Sequence, residues 1–167
     1  DAGELIPMRE LTDARFIITY LDPDPGEGGV ARYISYITRT RTGGAGEVIQ
    51  ATTDSARLDG LTQEDDGTLT YKFAAALPED YLDDATHQVA GQFRRTFPID
   101  GVAYPANVSH TFRPDGGAQL GAREIVTTET CNQCHTRLSA HGIRREVQYC
   151  IACHNNGSHD DEGISVD

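Results

Sequence analysis

Two copies of one pattern, Cys-x-x-Cys-His, lie near the C-terminal end of this chain, at Cys131–His135 (CNQCH) and Cys150–His154 (CIACH). No other feature restricts the fold as tightly. Two thiols at this spacing meet the two vinyl groups of one porphyrin, and the adjacent His swings under the ring to bind its iron. The segment from residue 118 to 167 holds all four cysteines and four of the six histidines. So short a stretch cannot build an adequate core alone and calls for covalent or metal staples. A haem at each motif supplies the apolar surface it lacks. The pattern predicts two covalently attached haems c, one on Cys131, Cys134 and His135, the other on Cys150, Cys153 and His154.

Two other chemistries compete for the same cysteines. Fifteen residues separate the two Cys-x-x-Cys pairs, which also fits a four-cysteine zinc site. Zinc needs no His directly after each pair, yet both pairs have one. Two disulfides are the other option, but Cys-x-x-Cys bridges are usually redox-active and sit in a βαβ context that the sequence lacks.

The sixth iron ligand decides what the haems do. A second strong ligand closes the iron for electron transfer, whereas an open position favours gas or peroxide chemistry. Four histidines lie outside the motifs: His87, His110, His141 and His159. A helix capped by Thr130 is expected over Cys131–Ala140, ended by Gly142. On it His141 and His135 point to different sides, so His141 suits the second haem or a neighbour. His87 and His110 fall on expected strands, from which either could reach the first haem, and His159 lies in a polar tail. Arg94–Arg95 and Arg144–Arg145 are candidates to pair with haem propionates. Asp160, Asp161 and Glu162 are a conceivable calcium site.

Residues 1–117 read as a β-domain and 118–167 as a dihaem segment of short helices and coil. Strands are expected at Arg15–Leu21, Val30–Thr38, Glu47–Thr52, Thr68–Leu77, Thr86–Phe97 and Ala106–Phe112, separated by Pro-, Gly- and Asp-rich turns. Such spacing predicts a mainly β chain with an N-terminal antiparallel sandwich or barrel. Pro78–Asp84 reads as a single helical turn. Alternation is clean only where Leu69, Tyr71 and Phe73 interleave with Thr68, Thr70 and Lys72.

Fourteen basic against 26 acidic residues leave a net charge of −12, which argues against nucleic acid as partner. No run is long enough to cross a bilayer as a helix. The chain starts at Asp1 with no leader before it and reads as a mature or excised form. Its cysteine usage places it outside the cytoplasm, at the cell surface or in the periplasm. No nucleophile–base set, phosphate loop or dinucleotide fingerprint is present. Electron transfer is therefore expected over catalysis. A haem enzyme or sensor with one open iron is the alternative, and a zinc-stapled adhesion module the third.

Thr127–Gly157, with TTETCNQCHTRLSAHG, then YC and CHNNG, resembles the first haem pair of the OmcA/MtrC family of outer-membrane decahaem cytochromes. THQVAGQFRR and FRPDGG resemble the end of the β-domain that precedes those haems. The resemblance implies bis-histidine haems with His141 at a distal-ligand position. It also implies cell-surface electron transfer to metal oxides, flavins, other multihaem cytochromes or copies of itself. His110 stands where this family leads one to expect an aromatic residue, which favours it as a ligand. Family members continue past the point where this chain stops, into closely spaced ligand histidines. On that resemblance the chain is a fragment, or it borrows ligands from another subunit.

Overall fold

The computed structural model describes residues 7–26, 29, 31–44, 46–97, 99–119, 123 and 126–155. The chain is mainly antiparallel β with few short helices, as its strand-and-turn pattern predicts. The strands among the described residues are β1 (Leu11–Leu21), β2 (Tyr33–Ser35), β3 (Thr38–Gly43), β4 (Gly46–Ala51), β5 (Leu61–Gln63), β6 (Leu69–Tyr71), β7 (His87–Thr96) and β8 (Ala103–Phe112). One sheet has the order β2-β1-β7-β8, and β3–β4 and β5–β6 are separate hairpins.

β1 and β7 form the middle of the sheet and pair antiparallel from Leu11↔Arg95 to Tyr20↔His87. Successive side chains on a strand point to opposite faces. Ile17 and Ala90 therefore share one face, and Phe16 and Gly91 the other. Both faces are covered. Phe16 and Ala14 pack with Leu61, and Tyr71, Phe73 and Phe93 close round them. On the opposite face Ile17 and Ala90 pack against Tyr149 and Ala152 of the cysteine-bearing segment. Burial on both faces removes the polar half of the alternation, which explains why the period-2 signal is weak in these two strands.

The cysteine-bearing segment thus shares its core with the sheet. A further cluster joins Tyr33 of β2 to Val147 and Ile151, with Cys131 and Leu138 packed beside them. Polar contacts reinforce the seam. Gln88 donates through Nε2 to the Gln148 carbonyl at 3.3 Å, and Arg144 donates through Nε to Gln92 Oε1 at 3.0 Å.

Several expected elements differ in detail. Val30–Thr38 is broken into β2 and the start of β3 by bends at Tyr36 and Ile37. The expected strand Thr68–Leu77 keeps only Leu69–Tyr71. Beyond it, the backbone N–H groups of Ala74 and Ala75 turn to the Asp54 carboxylate instead of a strand partner. Pro78–Asp84 forms turns, with Tyr81 N–H bonded to the Pro78 carbonyl and Ala85 N–H to that of Leu82, and no helix.

Candidate haem-binding segment

Each Cys-x-x-Cys-His unit sits on a short helical turn. α1 (Thr128–Asn132) is capped by Thr127, whose side chain accepts from the Thr130 N–H at 3.2 Å. The capping oxygen is thus Thr127's, and the helix expected over Cys131–Ala140 stops at Asn132. Asn132 Oδ1 takes the Leu138 N–H at 2.6 Å, a side-chain bond that holds the following loop in place of a continued helix. α2 (Val147–Cys150) carries the second unit.

The two units repeat one hydrogen-bond pattern. His135 N–H meets the Cys131 carbonyl at 3.0 Å and His154 N–H meets that of Cys150 at 2.9 Å. Cys134 and Cys153 N–H groups reach the same two carbonyls at 3.3 and 3.0 Å. Both cysteines and the histidine of a unit therefore lie on a single turn, the local geometry a porphyrin edge requires. All four cysteines are unbridged. Burial pushes the Cys150 and Cys153 thiols above their ordinary pKa. Among the described residues no three Cys, His, Asp or Glu side chains converge on a metal position, so the four-cysteine zinc arrangement is not assembled there.

The histidines part company. His141 faces His154, with ring centroids 6.1 Å apart and planes inclined by 35°. The approach depends on a tight reversal in which Ala140 and Arg144 exchange backbone hydrogen bonds of 2.8 and 2.9 Å. Within it His141 has φ +48° and Gly142 φ +79°. A left-handed non-glycine residue costs about 1–2 kcal/mol, and such strain concentrates at functional positions. Partial burial of the ring, with the charges of Arg144 and His154, lowers the His141 pKa and favours the neutral, metal-ligating imidazole. No described imidazole or aromatic ring stacks on His135, which is exposed.

His87 is fully buried, and both its ring nitrogens are engaged. Nε2 lies 2.8 Å from the Tyr36 hydroxyl and Nδ1 2.9 Å from the Ala85 carbonyl. Tyr36 and Ala85 thus engage both ring nitrogens of a residue expected to reach an iron. His110 pairs across the sheet with Val89, on the face of Phe16, and stacks on Phe112 at 5.9 Å. That face is opposite the one the cysteine-bearing segment covers, so the strand directs His110 away from both motifs. His159, and the acidic trio Asp160, Asp161 and Glu162, lie outside the described residues.

The arginine pairs also divide. Arg95 is ion-paired with Glu10 and lies over the Phe97 ring, at the far end of β7. Arg144 binds Gln92 and covers the Tyr149 ring at 5.1 Å. Arg145 is held through its backbone N–H by Asn107 Oδ1 at 2.7 Å.

Known proteins share this arrangement. Residues 123–166 match the family model described as outer membrane cytochrome MtrC/MtrF-like, domains II/IV. The multihaem cytochrome MtrC of Shewanella baltica (strain OS185) is 37% identical over 82 residues, covering 46% of this chain and 13% of that protein. The crystal structure of MtrC from Shewanella baltica OS185 superposes with a TM-score of 0.63 and 25% identity, over 93% of this chain and 26% of that one. The chain is thus similar, in its cysteine-bearing segment and in its fold, to outer-membrane multihaem cytochromes of the OmcA/MtrC kind. The fold agrees: the outer-membrane decahaem cytochrome OmcA superposes with a TM-score of 0.71 at 23% identity, over 92% of this chain and 26% of that one. The chain thus spans only a small part of the length of its OmcA/MtrC relatives.

Sequence reasoning passed over three residues that shape the site. Asn155, directly after the second motif and buried, accepts the Tyr33 N–H at 3.2 Å and an Arg123 N–H at 2.6 Å through Oδ1. Tyr149 is the largest fully buried side chain, wedged between the sheet and the second motif. Thr127 supplies the cap. Only the last left a trace in the sequence, as a Thr three residues before another at a helix start.

Proposed function

We propose that this chain carries two covalently bound haems c and passes single electrons between them as part of cell-surface electron transport. In this reading Cys131, Cys134 and His135 hold the first haem. Cys150, Cys153, His154 and His141 hold the second, and the junction between sheet domain and dihaem segment falls near residue 117. The observation that carries it is the facing pair His141 and His154. Their ring centroids lie 6.1 Å apart, so the two imidazoles would hold one iron between them with metal–nitrogen bonds of about 2 Å. The repeated turn at both motifs and the likeness to MtrC and OmcA support the same reading. Haem supplies a one-electron iron couple. The protein's part is to fix ligand orientation through the strained His141 turn, and to anchor the second motif through Asn155 and Tyr149. Other multihaem cytochromes or further copies of the chain are the partners this role requires, and metal oxides or flavins are candidate acceptors.

One observation favours a second reading, a haem enzyme or sensor with one open iron. His135 faces no second imidazole among the described residues, so its partner comes from His159, from residues beyond this sequence, from another chain or from nowhere. Carbon monoxide titration of the reduced protein separates these. Uptake of none marks both irons as closed, and uptake of one equivalent marks the first as open. His141→Ala adds one equivalent to either value, because it vacates the second iron. Unchanged uptake in that variant contradicts the assignment of His141.

A further inference from the structure

Between β8 and α1 lies a polar cavity of about 250 Å³, lined by Asn107, Thr128, Asn132, Arg137, Arg145 and Glu146, with Pro105 and Ala106 at its edge. Asn132 directly follows Cys131, so the cavity adjoins the first attachment site. Arg145, one of the lining residues, has its Nε and Nη1 buried with no hydrogen-bond partner. The Glu146 carboxylate accepts from Thr128 Oγ1 at 2.9 Å and does not satisfy them. A guanidinium buried with idle donors is costly, and an anion is what repays it. Two arginines against one glutamate make the cavity cationic in a chain of net charge −12. A porphyrin cannot enter a space of this size, but a carboxylate arm with a few waters can, at about 30 Å³ per water.

We propose that Arg145 clamps a carboxylate in this cavity, and that the carboxylate is a propionate of the haem on Cys131 and Cys134. This rests on the two-haem reading above. Arg145 acts as a positioning and charge-balancing residue for the first haem: its backbone is pinned to Asn107 on β8 at the wall of the cavity. With the guanidinium removed, the unbalanced carboxylate stabilises the ferric state and lowers the potential of that haem alone.

The test is a spectroelectrochemical titration of haem-loaded wild type, Arg145→Gln and Arg145→Lys. The first haem is identified as the one whose spectrum His141→Ala leaves unchanged. Arg145→Gln is expected to shift the reduction equilibrium of the first haem about tenfold toward ferric, about 59 mV for a one-electron couple. Arg145→Lys is expected to recover part of the shift, and the second haem to stay in place. Potentials unmoved, or moved equally at both haems, in protein that carries two haems overturn the clamp. Should Arg145→Gln fail to load haem, the resonance Raman propionate bending band of Arg145→Lys decides: a shifted band supports the clamp and an unshifted one overturns it. Loss of haem from the wild type would instead overturn the two-haem reading.

Discussion

Asp54 is buried and surrounded by donors: the N–H groups of Ala56, Ala74 and Ala75 at 3.0 Å each, and the Tyr71 hydroxyl at 2.9 Å. Burial alone would raise its pKa, but those donors outweigh it and hold the carboxyl below its ordinary 3.8. Because the folded value is depressed, the stabilisation is complete above that ordinary value and is lost as pH falls through the folded one. Asp54→Ala is expected to cost about 1–3 kcal/mol at pH 7, since it removes the shared acceptor of four partly buried hydrogen bonds. The difference from wild type should narrow in acid, and urea denaturation at both pH values checks this. An equal loss at both would place the effect in packing and not in the charge. Residue-scale facts of this kind were the least legible from sequence. An Asp in a loop and a His on a strand look alike whether buried or exposed, and nothing local announced that His87 would be closed off by Tyr36. The Cys-x-x-Cys-His units were legible because their chemistry is confined to one turn of chain.

At the scale of elements, the central pair β1–β7 depends on a close approach. Gly91 lies opposite Phe16, and a Cβ there would sit 2.8 Å from the Phe16 ring and 3.2 Å from Val108 Cγ2. Phe16 cannot yield easily, because Tyr71, Phe93 and Phe73 pack round it at ring-centroid distances of 4.1, 5.3 and 6.3 Å. Gly91→Ala should therefore destabilise the protein by about 1–3 kcal/mol, the usual cost of overpacking. Thermal denaturation with an unchanged midpoint would show that the sheet adapts. β1, β4, β7 and β8 stood out in the sequence as β-branched and aromatic runs. β5 did not, since Leu61 is its one buried residue and polar neighbours surround it. β3, with the sequence TRTRTG, is almost wholly exposed and reads as turn. The helix expected over Cys131–Ala140 failed because local propensity cannot show Asn132 diverting the chain with its side chain.

On the scale of the molecule, one sheet serves two masters. The Phe16 face closes a conventional apolar core, and the Ile17 face seats the cysteine-bearing segment through Tyr149, Ala152, Gln88 and Gln92. That segment, too short to fold alone, borrows the sheet as a platform, and Tyr33 of β2 extends the platform under Val147 and Ile151. The sheet and the cysteine-bearing segment are therefore packed through shared core clusters. No helix among the described residues is long and apolar enough to cross a membrane.

We read both motifs as holding covalent haem. The most direct measurement is the mass of the chain produced with a c-type maturation system, denatured and extracted so that only covalent groups remain. The expected result is the polypeptide mass plus two haems, reduced to one by replacing Cys131 and Cys134 with Ala. A chain at polypeptide mass alone, colourless and with four titratable thiols, would contradict it.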